Sequence, residues 1–137
     1  MRVILDTNIF LSSLISPHGI PAQICEAWRN ARFELITSDI QLEELRRASR
    51  YSKFKVIVPP YLMGILINNL QNTQVLTQLK IEIEATDPND SFLIAMAQVS
   101  EADYLITGDL KAGILSRLHL GRTRVMTPAE FDRLHLD

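Results

Sequence analysis

Short, uninterrupted apolar runs alternate with capped helical patterns from one end of this chain to the other, and that alternation leaves few folds open. Val3-Ile4-Leu5 stops abruptly at Asp6, as a strand buried on both faces of a parallel sheet does. Asn8 to Leu14 reads as a short helix, and Ser16-Pro17-His18-Gly19 as a loop. Pro21 opens a second helix to about Asn30, with Ile24, Ala27 and Trp28 on one face, and Phe33 to Thr37 follows as a strand. Ser38 and Gln41 match a capping box at the start of a helix from Asp39 to about Arg50. Pro59-Pro60 starts another, whose buried side carries Tyr61, Leu62, Ile65, Leu66 and Leu70. Leu79, Ile81, Ile83 and Ala85 alternate with Lys80, Glu82 and Glu84, the pattern of a half-buried extended segment. Asp87-Pro88-Asn89-Asp90 caps a helix running to about Ser100; Tyr104 to Thr107 and Arg124 to Met126 are further strands. Thr127-Pro128-Ala129-Glu130 is a second capping box, opening a short final helix. Strands alternating with helices predict an α/β domain on a parallel sheet.

With 137 residues the chain is one domain's worth, and its 47% apolar and 22% charged content is that of an ordinary globular protein. No apolar run is long enough for a signal peptide or a membrane span, so secretion and membrane insertion are not expected. A single cysteine, Cys25, set among Ala22, Ile24 and Trp28, reads as a core residue in a reducing cytoplasm. A net charge of -2 does not draw a polyanion to the molecule as a whole, so nucleic-acid contact needs a local patch or bound cations.

Ligands of such sheets bind outside the carboxyl ends of the strands. Asp6 follows the first strand directly, Asp109 follows the Tyr104 strand by one glycine, and Asp90 begins the helix leading into that strand. Glu44 falls within the arc of Ile40, Leu42, Leu45 and Ala48 and points inward, whereas Glu43 falls outside it, four residues before Arg47, as one partner of an exposed ion pair. Four carboxylates gathered on one edge repel, and a hard cation relieves that repulsion. Oxygen ligands suit Mg²⁺ or Mn²⁺; His18, His119, His135 and Cys25 make no zinc-type set.

Leu5-Asp6-Thr7-Asn8 after an apolar strand, Glu44-Leu45 in a capped helix, Asp87-Pro88-Asn89-Asp90 followed by Leu93, Ile94 and Ala97, and Ala102-Asp103-Tyr104 to Thr107-Gly108-Asp109 resemble, in order, the motifs of the PIN-domain family. The helix Thr127 to Phe131 is similar to the ending of a bacterial subgroup, the VapC-like toxin components of toxin-antitoxin pairs. The resemblance implies a single domain over residues 1–137, three-layered α/β/α with a central, mainly parallel sheet of about four to five strands. It further implies a ribonuclease using one or two Mg²⁺ or Mn²⁺ ions, often a homodimer, often with a cognate antitoxin. By position, Asp6, Glu44, Asp90 and Asp109 are then the catalytic metal ligands, and Asn8 and Thr107 orient them. Some relatives carry the third acid one position later, where this chain has Ser91, and Asp87 is the alternative to Asp90.

Arg46, Arg47, Arg50, Lys53 and Lys55, interleaved with Tyr51 and Phe54, suit either RNA phosphates and bases, an acidic antitoxin tail, or plain solvation. The stretch Tyr61 to Ile67 reads as core or as a dimer face. Two rival functions remain. A haloacid dehalogenase-type phosphohydrolase would need a second carboxylate where Asn8 stands. A non-catalytic PIN fold that binds RNA or protein would leave the four acids as an uncompensated cost.

Overall fold

The computed structural model describes residues 1–80, 91–108 and 119–136. Val3, Ile4 and Leu5 are each fully buried and form the strand β1 (Arg2–Leu5) at the middle of a sheet. Their side chains part to opposite faces, as the two-residue period of a strand requires. Val3 and Leu5 join one core with Leu35, Ile106 and Met126, while Ile4 joins a second with Ile36, Leu105 and Val125. One continuous apolar run thus serves two cores, and helices cover both faces.

The chain continues through α1 (Thr7–Ile15), α2 (Ile20–Arg29), β2 (Glu34–Ser38), α3 (Asp39–Ala48), α4 (Ser52–Ile57), α5 (Pro60–Gln71) and β3 (Gln74–Leu76). It then runs through α6 (Ser91–Ser100), β4 (Tyr104–Ile106), β5 (His119–Leu120), β6 (Thr123–Met126) and α7 (Pro128–Phe131), which passes into a π-helical turn, Asp132–Leu136. The strand order is β3-β2-β1-β4-β6-β5, with the first five parallel and β5 antiparallel to β6. Ile9 and Phe10 of α1, Ile24 and Cys25 of α2, Leu42 and Leu45 of α3, Met63, Leu66 and Leu70 of α5 and Phe131 of α7 fill the first core. Phe92, Leu93, Met96 and Ala97 of α6 fill the second. The result is a three-layer α/β/α sandwich on a mainly parallel sheet, as expected, with five parallel strands and the two-residue antiparallel β5 at one edge among the described residues. Among these residues no helix is long and apolar enough to cross a membrane.

Several local expectations need correcting. The strand beside β2 is Gln74–Leu76, whereas Leu79 and Lys80 lie outside any strand and the rest of that alternating segment lies outside the described residues. The helix expected to reach Arg50 ends at Ala48, and a separate short helix, α4, follows it. No residue of α4 is buried, so it left no apolar period to read. Glu43 pairs with Arg46 at 3.9 Å rather than with Arg47, one helical turn satisfied at i+3 instead of i+4. The β5–β6 hairpin also went unread: two-residue strands carry no period, and Gly121, at φ +60°, supplies the left-handed first position of its turn. At the opposite end of the sheet from the strand termini, Asp103 accepts from the Arg2 amide at 2.8 Å and from the Arg122 guanidinium at 2.7 Å. The Arg2 amide holds its carboxyl below the usual carboxylate range; burial opposes it, and the Arg122 guanidinium adds to the lowering.

Candidate active site at the strand termini

From β1 the chain moves outward to β2 and β3, then returns to place β4 on the other side of β1. The carboxyl ends of β1 and β4 therefore flank the point where the connections diverge, the position at which α/β sheets of this kind open a crevice. Asp6 stands at one end and Thr107 at the other. The Asp6 amide continues the ladder by donating to the Ile106 carbonyl at 2.9 Å, and the Thr107 amide donates to Met126 at 3.0 Å. Both side chains are thereby fixed to the sheet rather than to a loop.

Asp6 is only 4% exposed. One carboxylate oxygen, Oδ1, accepts the Asn8 amide at 3.1 Å, which makes Asp6 the cap of α1. The other, Oδ2, accepts the Thr107 hydroxyl at 2.7 Å. Capping and site-building are thus performed by the same group. Position 8 donates its backbone amide to Asp6, and the Asn8 side chain is exposed.

Glu44 lies on α3, which starts at the carboxyl end of β2 where Ser38 accepts the Gln41 amide at 3.1 Å. Glu44 is half-buried and Glu43 exposed, as their places on the helical arc require. Ser91, the first residue of α6, is buried. Since α6 feeds the amino end of β4, its own start belongs to the same edge as Asp6. Asp87, Asp90 and Asp109 lie outside the described residues.

The sequence reading missed Gln41 as a site residue. Its carboxamide was assigned to a reciprocal capping box with Ser38, but the side chain runs elsewhere. Fully buried, it donates from Nε2 to the Leu5 carbonyl at 2.7 Å and to Thr7 Oγ1 at 3.4 Å, and its Oε1 accepts the Thr37 hydroxyl at 2.7 Å. A fully buried amide must find partners in the interior, and this one finds them at the ends of β1 and β2, which no local pattern in the sequence announces. The second capping box also closes differently: Thr127 accepts the Glu130 amide at 3.2 Å and gives its own hydroxyl to the Glu130 carboxylate at 3.0 Å.

The Asp6 and Glu44 carboxylates are oxygen donors, which fit a hard dication. Softer ligands are engaged elsewhere. His18 is exposed in the α1–α2 loop, and His135 packs against Tyr104 and Phe131 with ring centroids at 4.8 and 5.1 Å. Cys25 lies in the first core, where burial pushes its thiol up, the opposite of what a metal-binding thiolate needs. Among the described residues no three histidine, cysteine or acidic side chains form a cluster, so a complete ligand set would have to draw on the acids outside them.

The basic segment is split by the fold. Arg46 is half-buried beside Glu43, whereas Arg47, Arg50, Lys53, Lys55 and Tyr51 are exposed; Phe54 is half-buried and packs against the first core. The Tyr61 to Ile67 stretch is likewise divided, with Met63 and Leu66 buried and Tyr61 and Ile65 exposed.

Comparison with known proteins agrees with this architecture. A protein of Methanocaldococcus jannaschii, uncharacterized protein MJ1680, is 29% identical over 150 aligned positions, spanning 96% of this chain and 89% of that protein. In the VapBC2 complex of Rickettsia felis, solved bound to a DNA fragment from its promoter, one chain superposes with a TM-score of 0.62 at 17% identity, covering 93% of this chain and 98% of that one. The PIN domain of human SMG5 superposes with a TM-score of 0.53 at 13% identity, covering 97% and 98%. At these identities the two structures speak for the fold. The family profile described as PIN domain matches residues 2–111, well over half of the 137, and the chain belongs to the PIN-domain family.

Proposed function

We propose that this chain is an endoribonuclease that hydrolyses RNA phosphodiesters with Mg²⁺ or Mn²⁺ held by Asp6, Glu44, Asp90 and Asp109. The observation that carries this reading is the buried Asp6 carboxylate at the β1–β4 divergence, held on one side by the Asn8 amide and on the other by the Thr107 hydroxyl. A carboxylate presented at this edge of the sheet is an oxygen donor of the kind a hard dication takes. Membership of a family whose members are generally nucleases supports the same reading. When bound, the dication supplies an activated water for in-line attack and stabilises the leaving oxygen. Asp6 and Glu44 supply anionic oxygens from two different elements; Thr107 and the Asn8 amide fix the Asp6 rotamer; Ser91 supports the start of α6 at the same edge. A phospho-aspartate route is disfavoured, because position 8 offers Asp6 an amide and no second carboxylate.

The likeness to VapBC2 supports the finer reading of a toxin component with a cognate antitoxin, acting in the cytoplasm. Arg46, Arg50 and Lys53 are the candidates for RNA or partner contact. The exposed apolar side chains of Val56, Ile57, Tyr61 and Ile65 on α4 and α5 are the surface on which a second copy would form a homodimer.

The test is cleavage of single-stranded RNA by the purified chain. We expect degradation with Mn²⁺ or Mg²⁺, none in EDTA, and none by Asp6→Asn in either metal. Cleavage equally fast in EDTA would contradict the mechanism.

A further inference from the structure

Apolar packing holds α3 against the sheet through Leu42 and Leu45, but apolar contact has no direction and tolerates a small slide or rotation of the helix. Hydrogen bonds do not, since they weaken steeply with distance and angle. Gln41 is the residue of α3 that makes such bonds to both neighbouring strand ends. Its Nε2 reaches the carbonyl of Leu5, the residue before Asp6, and Thr7, the residue after it; its Oε1 takes the hydroxyl of Thr37, near the end of β2. Glu44 follows Gln41 by three residues, one turn along the same helix face. The segment bearing Asp6 and the helix bearing Glu44 are therefore joined by one buried carboxamide.

We propose that Gln41 is a positioning residue that fixes the Asp6 and Glu44 carboxylates relative to one another and so sets the affinity for the divalent cation. The inference rests on the metal-dependent reading above and deepens it. Thr37 is the second part of the device. The Leu5 carbonyl, which only accepts, draws the NH₂ end of the amide, and the Thr37 hydroxyl donates to the Oε1 at the other end and anchors it to β2. The site would then be tuned from behind the ligands, by groups that touch neither metal nor RNA.

Mn²⁺ binding measured by titration calorimetry, well below each protein's melting temperature, tests this without using catalysis. The unmodified chain is expected to bind Mn²⁺ and Asp6→Asn to lose it. Gln41→Met, verified as folded by circular dichroism, should bind about tenfold or more weakly, the loss typical when a residue supporting a metal ligand is removed. Thr37→Val should weaken binding in the same direction, and the double variant should bind no more weakly than Gln41→Met alone, because both substitutions break one chain of bonds. A merely structural glutamine would lower the melting temperature and leave affinity within about twofold of the unmodified chain, and that result in folded Gln41→Met would overturn the proposal. If Gln41→Met does not fold, unaltered affinity in Thr37→Val overturns it instead. Failure of the unmodified chain to bind Mn²⁺ would be seen before any variant is compared, and would remove the metal reading together with this inference.

Discussion

Two demands meet in the Asp6 side chain: it caps α1 where β1 stops, and it accepts the Thr107 hydroxyl where β4 ends, which is why the proposed site is centred on it. The first is visible in the sequence as an apolar run that halts at an acid. Thr107, immediately after β4 on the matching edge, is named by the family resemblance rather than by a local pattern. Gln41 was not legible, since the capping pattern it completes accounts for it by a local partner and nothing in one sequence says that its carboxamide crosses to Leu5. The Thr107 hydroxyl is the buried donor to Asp6, so Thr107→Val should cost about 1–3 kcal/mol of stability in urea unfolding, while Thr107→Ser should retain most of it. Asn8→Ala should change little by comparison, because the amide that reaches Asp6 belongs to the main chain. Cys25, with its thiol pushed up by burial, should resist a thiol reagent until the protein unfolds; rapid labelling of the native chain would contradict its place in the core.

At the scale of elements, the long capped helices and the three central strands could be read because burial imposes a period on them. β1, β2 and β4 each place residues in both cores, and that two-sided burial is what produced unbroken apolar runs. The edges could not be read. β3 is three residues long with none of them fully buried, and α4 buries nothing, so neither had to satisfy a pattern. The amino-terminal edge of the sheet is closed by charge instead of apolar contact. There Asp103 joins the start of β1, through the Arg2 amide, to the β5–β6 hairpin, through Arg122. Because its carboxyl is held below the usual value, its contribution is present above the unfolded-state pKa of about 3.9 and is lost as pH falls through the lower folded value. Asp103→Asn should therefore cost about 1 kcal/mol near neutral pH, since it removes the charge that strengthens the Arg2 amide bond and pairs with the exposed Arg122, and the difference should shrink toward zero in acid. Unfolding curves of both proteins at neutral pH and near pH 3 check the sign.

For the molecule as a whole, the three-layer architecture and membership of the PIN-domain family followed from the order of strands, caps and acids, whereas the assembly did not. The stretch read as core or as a dimer face exposes Tyr61 and Ile65 on α5, beside Val56, 86% exposed, on α4. If two copies meet on this face, Val56→Glu with Ile65→Glu should convert a dimer to a monomer by sedimentation without altering the melting temperature by more than a few degrees. Half of the proposed ligand set, Asp90 and Asp109, lies outside the described residues, so the central claim is that these two acids meet Asp6 and Glu44 around a shared cation. Its most direct measurement is anomalous diffraction from crystals grown in Mn²⁺. The account predicts one or two manganese peaks at coordination distance from Asp6 and Glu44, with Asp90 and Asp109 completing the oxygen shell and no peak in Asp6→Asn; manganese bound elsewhere, or none beside Asp6 at saturating concentration, would contradict it.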